Sequence, residues 1–129
     1  MSRATTNADL CRAVLQGIAL RTAQVLKTMI RLAGEHNSLS VDGGLINNSY
    51  FCQFLSDIAQ CEIGVPASPD IMTCGTGRLV LIGSGMVNDL SDLLPAEKPR
   101  AIISPRRDLT HLKELFAEAV RRSRRWREN

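Results

Sequence analysis

The sequence predicts an α/β fold in which short parallel strands alternate with helices. Two observations carry this prediction: apolar residues recur at helical spacing over 9–32, 48–59 and 108–120, and short runs of strand-like composition occur at 39–41 and 62–65. The predicted order of elements is helix, strand, helix, strand, helix, helix. With 129 residues, of which 44% are apolar, the chain is long enough for one compact domain with one core.

The first helix is predicted from its start and from its repeat. Thr6 and Asp9 stand three residues apart, as in a capping box, and Gly34 and Asn37 are expected to end the helix. The apolar residues between these limits return to one face and form what is here the apolar stripe: Leu10, Val14, Ile18, Val25, Met29 and Leu32.

Residues 41–48 (VDGGLINN) predict a buried strand that runs through a glycine turn directly into a second helix, from about Asn48 to Ala59. Gly43 and Gly44 allow the backbone to approach a ligand that any side chain would block, and the start of a helix presents unpaired N–H groups. A nucleotide can be accommodated at such a place. Taken alone, two adjacent glycines more often form a tight turn without a ligand.

The second strand is predicted at 62–65 and is ended by Pro66 and Pro69. A two-stranded sheet is marginally stable, and its outer edges normally pair with something. We therefore expect one of two situations. Either a partner molecule supplies further strands, so that the chain forms a homo-oligomer, or the chain is a piece of a larger domain whose leading strands precede Met1.

The second half of the chain gives weaker signals. The run 75–86 is compatible with a strand or with a buried helix whose glycines pack against a neighbour, and the predicted order counts it as a helix. Residues 88–107 are predicted as a loop, apart from a brief extended stretch at 100–104. The last helix starts at Asp108, and its apolar side consists of Leu112, Leu115, Phe116, Ala119 and Val120.

Composition excludes several functional classes. The formal net charge of +3 comes largely from arginines near the C-terminus, where they suit a helix dipole, so the chain is not expected to bind nucleic acid. We expect neither a membrane span nor a secretion signal. Four cysteines without a C-x-x-C pair favour a reduced, cytoplasmic setting, and His36 and His111 lack a second ligand at metal-binding spacing.

Several segments match the motifs of one family in order. Residues 2–6 and 9–19 resemble T-R-G-T-T and the helix H-I-x-R-A-x-L-E-G-I-A, and residues 41–58 resemble V-D-G-G-x-x-x-N-x-x-x-x-Q-F-x-S-D-I. Gly75 falls on the glycine of T-A-L-G-A-A, and residues 119–126 resemble A-V-x-R-S-x-x-W. By these motifs the chain resembles the C-terminal segment of the FGGY carbohydrate kinases, and among them most closely the glycerol kinases.

This resemblance implies an ATP-dependent sugar or polyol kinase with two actin-like (ribonuclease H-like) domains, of which residues 1–129 would be an incomplete C-terminal, nucleotide-binding part. Gly43 and Gly44 would pass close to the adenosine and α-phosphate, and Asn48 would hydrogen-bond the adenine. The family's phosphate loop, sugar-contacting residues and catalytic aspartate belong upstream, so no catalytic residue and no metal ligand is assigned here. ATP with Mg is the cofactor of the full-length family. Arg78 places a bulky cation where the family packs a small side chain.

Other candidate residues have structural interpretations. Asn48 is an N-cap residue by type, whatever else it contacts. Asp42 is expected to fix the turn through the backbone rather than to act in catalysis, and Asp57 is expected to be a hydrogen-bonded structural acid. Gly75 and Gly77 lack the lysine of a phosphate loop nearby and are expected to serve close packing.

Two functional hypotheses follow. The first is a nucleotide-side segment of a glycerol-kinase-like enzyme that is inactive by itself. The second is a non-catalytic module that associates with itself and does not bind nucleotide.

Overall fold

The computed structural model describes residues 4–34, 37–68, 70–93 and 98–124. Some residues used in the sequence prediction lie outside these ranges: Ser2, Arg3, His36, Pro69, Pro95, Arg125, Trp126 and Arg127.

Within the described ranges the chain forms four α-helices and one sheet of three strands, which confirms the predicted α/β class. The elements are α1 (Asn7–Ala33), β1 (Ser38–Ser40), a 3-10 turn (Gly44–Asn47), α2 (Ser49–Ala59), β2 (Glu62–Val65), α3 (Ile71–Gly83), a second 3-10 turn (Leu90–Leu93), β3 (Ala101–Ile103) and α4 (His111–Arg124).

The predicted order of six elements is wrong in one respect, because a third strand stands between the last two helices. β1 and β2 form the predicted parallel pair, and β3 adds to the other side of β2 in antiparallel register, with Ile103 opposite Ile63 and Ala101 opposite Val65. A strand of three residues is too short to show a clear alternation, and its formation depends on a long-range partner. The sequence prediction therefore reduced it to a brief extended stretch.

The ends of the first helix follow the sequence prediction closely. The Thr6 hydroxyl accepts from the Asp9 N–H at 3.3 Å, and the Asp9 carboxylate accepts from the Thr6 N–H at 3.0 Å, which completes the capping box. Gly34, with φ of +93°, ends the helix. β1 begins one residue earlier than predicted, and of its three residues only Leu39 is half-buried. The predicted buried strand is thus an edge strand with exposed serines.

The core lies between α2, β2 and the middle of α1. Leu55, Ile58 and Ile63 are fully buried, and Ala19 and Ala23 allow α1 to pack closely against them. The apolar stripe of α1 lies on a different side of that helix and is largely exposed, from 40% at Ile18 to 80% at Leu32. The helical period of the stripe was correctly predicted, but this chain does not bury it.

The uncertain run at 75–86 lies in a helix. α3 begins at Ile71, and its N-cap Asp70 accepts from the Thr73 N–H at 2.9 Å. Gly75 and Gly77 lie inside this helix, where a Cβ added to either meets no heavy atom within 4 Å, and α3 has no buried residue. The predicted close packing of these glycines is therefore wrong for the described chain, because no neighbour lies against them.

Candidate functional site

The predicted nucleotide site lies at the bend that follows β1. Gly43 has φ of +98°, a conformation that strains any residue with a Cβ, and its carbonyl accepts from the Ile46 N–H at 3.1 Å. The prediction of a strand running straight into the second helix is wrong in detail, because the 3-10 turn Gly44–Asn47 intervenes. This turn forms because Ile46, only 4% exposed, is drawn into the core.

The bend is open to solvent on its glycine side. A Cβ added at Gly43 or Gly44 meets no heavy atom within 4 Å, and both residues are exposed. The Asp42 carboxylate accepts from the Gly43 N–H at 2.7 Å, which confirms the predicted turn-fixing role of this acid. The Gly44 N–H makes no hydrogen bond within the described residues. One of the two glycine amides is thus engaged, and the other belongs to an exposed residue and has no acceptor among the described residues.

Asn48 is the N-cap of α2, as predicted. Its Oδ1 accepts from the Phe51 N–H at 3.0 Å, and this bond fixes which end of the carboxamide faces the helix. The Nδ2 amide group therefore points away from the helix, and it has no partner in the part of the chain that the structure describes. The outward face of Asn48 is a hydrogen-bond donor beside two glycines.

A cation that sequence reasoning missed lies next to this bend. The Arg100 guanidinium donates to the Asn47 Oδ1 at 2.9 Å and so ties the approach to β3 to the 3-10 turn. Beneath the turn, burial raises the pKa of the Cys52 thiol, and the Arg100 charge partly opposes this rise. Because 53 residues separate Arg100 from Asn47, no local signal in the sequence could have joined them.

Gly43, Gly44 and Asn48 lie at one bend, but none of them lines the apolar cleft beside α3. That cleft, of about 470 Å³, lies between the exposed face of the sheet and α3. Gly64 and Ile102 contribute to its floor, while Arg78 and Cys74 of α3 form its other side. Arg78, the residue that departs from the family motif, thus lines this cleft.

Within the described residues no group of three or more His, Cys, Asp or Glu side chains is placed to hold a metal ion. His111 is exposed at the start of α4, and the exposed cysteines Cys11 and Cys74 are free. No described helix is long and apolar enough to cross a membrane.

Comparison with known proteins decides the family. Residues 1–76, which contain α1, the glycine bend, α2 and β2, match the family model described as the FGGY family of carbohydrate kinases, C-terminal domain. The chain belongs to this family. The resemblance predicted from the motifs is therefore confirmed.

Relatives of this FGGY chain include glycerol kinases. It is 32% identical to glycerol kinase of Pediococcus pentosaceus over 98% of its own length and 26% of the relative's. It is 31% identical to glycerol kinase of Azotobacter vinelandii over 100% of its own length and 26% of the relative's. The chain thus spans about a quarter of the length of the curated relatives it matches.

Solved structures of FGGY kinases share the fold of this FGGY chain. The Plasmodium falciparum glycerol kinase with ADP superposes with a TM-score of 0.70 at 24% identity, over 97% of this chain and 25% of that one. The ligand-bound xylulose kinase of Lactobacillus acidophilus gives a TM-score of 0.71 at 16% identity, over 96% of this chain and 25% of that one. The predicted actin-like ATPase fold is therefore confirmed.

Proposed function

We propose that this FGGY chain is the nucleotide-side segment of a glycerol-kinase-like enzyme, with residues 1–129 forming the C-terminal part of its nucleotide-binding domain. The whole enzyme would transfer the γ-phosphoryl group of ATP to a hydroxyl group of glycerol or a similar polyol or sugar. Gly43 and Gly44 approach the adenosine and α-phosphate in this proposal, and Asn48 hydrogen-bonds the adenine. A glycerol kinase with ADP among the structural neighbours supports the choice of nucleotide.

The outward amide of Asn48 is the single observation that carries the proposal. Its Oδ1 already accepts from the Phe51 N–H, whereas its Nδ2 group has no partner within the described residues, so Nδ2 is the donor that this proposal assigns to the ligand. Adenine offers ring nitrogens that accept such a donor. The open space beside Gly44 removes the obstacle that a side chain would place between the base and the helix start.

We further propose that the chain alone does not transfer phosphate. Phosphoryl transfer requires a positioned γ-phosphate, a metal ion and an oriented nucleophile at the same time. The described carboxylates form no metal-holding group, and Asp57 is engaged by backbone N–H groups. An assay of glycerol-dependent ADP release by the purified chain tests this. Turnover above background that is lost in Asn48→Ala would refute the proposed inactivity.

Calorimetric titration of the chain with ATP and ADP tests the nucleotide contact. Gly44→Ala is the sharpest variant, because the added methyl group meets nothing in the free protein and yet occupies the space proposed for the ligand. Asn48→Asp keeps the capping oxygen but removes the donor. Asn48→Ser keeps a neutral cap and controls for the added charge. We expect each to weaken binding about tenfold or more with little change in melting temperature. No binding of millimolar nucleotide to the parent chain rejects the proposal.

A second candidate function is a self-associating module without nucleotide binding, and the exposed surface favours it. The accessible area is 9965 Å², whereas a compact monomer of 14.2 kDa exposes about 6,800 Å². The surplus of about 3,000 Å² exceeds the roughly 800 Å² per partner of a standard interface. The apolar stripe of α1 supplies much of the exposed apolar surface. A second copy of the chain, packed through this stripe, would cover it.

The open edge of β1 lies close to the same surface. Asn37 and Val41, which flank β1, direct their hydrogen-bonding groups to β2 at 3.0 and 3.3 Å. Because alternate residues of a parallel strand bond to the same neighbour, Ser38 and Ser40 direct theirs to the outer edge. An apolar groove of about 410 Å³ between α1 and β1 adjoins this edge. A copy packed on α1 could therefore pair along β1 as well.

Light scattering after size exclusion tests self-association. We expect twice the mass of 14.2 kDa for the parent chain and a monomer for the double variant Val14→Ser with Val25→Ser, which changes exposed positions only. Leu79→Ser on α3 is the control. Added salt should strengthen the dimer, because an antiparallel pairing of the stripes brings Arg21 near the same residue of the copy. A monomeric parent chain overturns this second candidate.

A further inference from the structure

A second cleft, of about 530 Å³, lies between α1, α2 and the segment 106–112, away from the glycine bend. Its charged lining residues are Arg12, Arg106, Arg107 and Asp57. None of the residues proposed for adenosine lines it. The sequence prediction gave no role to any of these three arginines.

The two adjacent arginines are held in place through their backbone. The Asp57 Oδ1 accepts from the N–H groups of Arg106 and Arg107 at 2.7 and 3.3 Å. The Gln53 Nε2 donates to the Ser104 carbonyl at 3.1 Å. The Gln60 Nε2 donates to the Arg107 carbonyl at 2.8 Å. Three side chains, two from α2 and one from its C-cap, therefore hold this segment in place, and neither guanidinium group makes a hydrogen bond to the described residues.

No ion pair among the described residues neutralises the three arginines of the cleft, although Arg12 interacts electrostatically with Asp9 outside it. The described ion pairs both belong to Glu118 of α4, so Arg12, Arg106 and Arg107 form none within the described part of the chain. Asp57 is 5% exposed, and its Oδ1 accepts hydrogen bonds from the Gln53 side-chain amide and the Arg106 N–H rather than from a guanidinium group. Three cations and one carboxylate leave a net charge of about +2 at the cleft. Planar guanidinium groups bind phosphate through paired hydrogen bonds.

An aromatic wall stands beside these cations. The Arg12 Cζ lies 5.8 Å from the centre of the Tyr50 ring, and this ring stacks on Phe54 with centroids 6.1 Å apart. The Tyr50 hydroxyl accepts from the Gln16 Nε2 at 2.6 Å, which fixes the ring position. Tyr50 is still 40% exposed, and Leu109 also lines the cleft. The site thus offers a face for a ring next to a cluster of cations.

We propose that this cleft binds a small phosphate monoester, with the phosphoryl group on Arg106 and Arg107 and an attached ring or apolar group against Tyr50. The phosphoryl group is the shared chemistry of free phosphate and of organic phosphates. The aromatic wall favours the organic form, because stacking adds to the charge interaction. Arg12 is placed to contact both parts of such a ligand.

Titration of the full chain with phenyl phosphate and with inorganic phosphate, at low ionic strength, tests the proposal. We expect phenyl phosphate to bind more tightly than inorganic phosphate, and both to weaken as salt is added. The double variant Arg106→Gln with Arg107→Gln should weaken phenyl phosphate about tenfold or more. It should fold normally, because the hydrogen bonds that join these two residues to α2 are made by their backbone N–H groups, which the substitutions leave in place.

The double variant Arg21→Gln with Arg78→Gln is the matched control, since it removes the same charge away from the cleft. Gly44→Ala should still bind phenyl phosphate, which separates this site from the nucleotide site. Tyr50→Leu should reduce the preference for phenyl phosphate over phosphate. The proposal is overturned by an absence of binding at millimolar probe, by equal affinity for the two probes, or by equal weakening in the control.

Discussion

Replacing Asp57 by alanine tests how the long-range contacts hold this fold together. The change removes the acceptor of the Arg106 and Arg107 N–H groups and of the Gln53 amide. A buried donor left without a partner costs about 1–3 kcal/mol. These two backbone bonds are only partly buried, so water recovers some of the loss, and we expect about 2–4 kcal/mol of destabilisation.

Urea unfolding followed by circular dichroism measures this loss. With a slope of about 2 kcal/mol per molar urea, in the middle of the range for small proteins, the midpoint should fall by about 1–2 M. Asp57→Asn is the matched control, because it retains an acceptor oxygen of the same reach. We expect it to lose about 1 kcal/mol or less. A loss in Asp57→Ala no larger than in Asp57→Asn would refute the view that the carboxylate holds the 104–107 segment.

Further predictions concern the core, the thiols and acid. Ile63→Ala, at a fully buried site, should lower the free energy of unfolding in urea by about 2–5 kcal/mol. Ile102→Ala on β3, where the side chain is 61% exposed, should lower it by about 1 kcal/mol or less. Equal losses of unfolding free energy would contradict the assignment of Ile63 to the buried face of the sheet and Ile102 to the exposed face. Brief alkylation with mass spectrometry should modify the exposed Cys74 before Cys52, whose pKa is raised by burial. Hydrogen bonds from the Thr73 hydroxyl and N–H lower the pKa of the Asp70 carboxyl below its ordinary 3.8. The stabilisation of α3 by this N-cap is therefore complete above pH 3.8 and is lost as the pH falls through the lowered pKa. Asp70→Asn should flatten the circular dichroism signal over this acid range.

Local chemistry made much of the candidate site predictable. The capping box at Thr6 and Asp9 and the N-cap at Asn48 require only residues within one helical turn, and both are present. Gly43 and Gly44 were singled out because a glycine turn lets the backbone approach a ligand, and the structure adds that Gly43 has a positive φ of +98°. Asp42 binds the neighbouring amide for equally local reasons. Whether these groups contact adenosine depends on a ligand, and that remains a prediction.

What the sequence did not predict depends on distant parts of the chain. β3 exists because it pairs with β2, some forty residues earlier in the chain. The contact between Arg100 and Asn47 spans 53 residues, and the fastening of Arg106 by Asp57 spans 49. No local period or spacing encodes such contacts. The sequence could not decide between strand and helix for residues 75–86 for a related reason. An apolar segment with glycines is compatible with both structures until its neighbours in the fold are known.

The apolar stripe of α1 shows the difference between detecting an apolar face and knowing what buries it. α1 carries two apolar sides, of which one packs through Ala19 and Ala23 and the other is exposed through residues such as Val14 and Leu32. A helix that is apolar on more than one side is typical of the interior of a larger body. The chain spans about a quarter of its relatives and exposes about 3,000 Å² more than a compact monomer would. The stripe is therefore best explained as a surface that further polypeptide covers.

In the first proposed function the polypeptide that covers the apolar stripe is the remainder of a kinase, and in the second it is another copy of the chain. Arg21, in the middle of the stripe, favours the remainder of a kinase as the covering polypeptide. A second copy of the chain would place another arginine opposite Arg21, whereas a different polypeptide can place an acidic residue there.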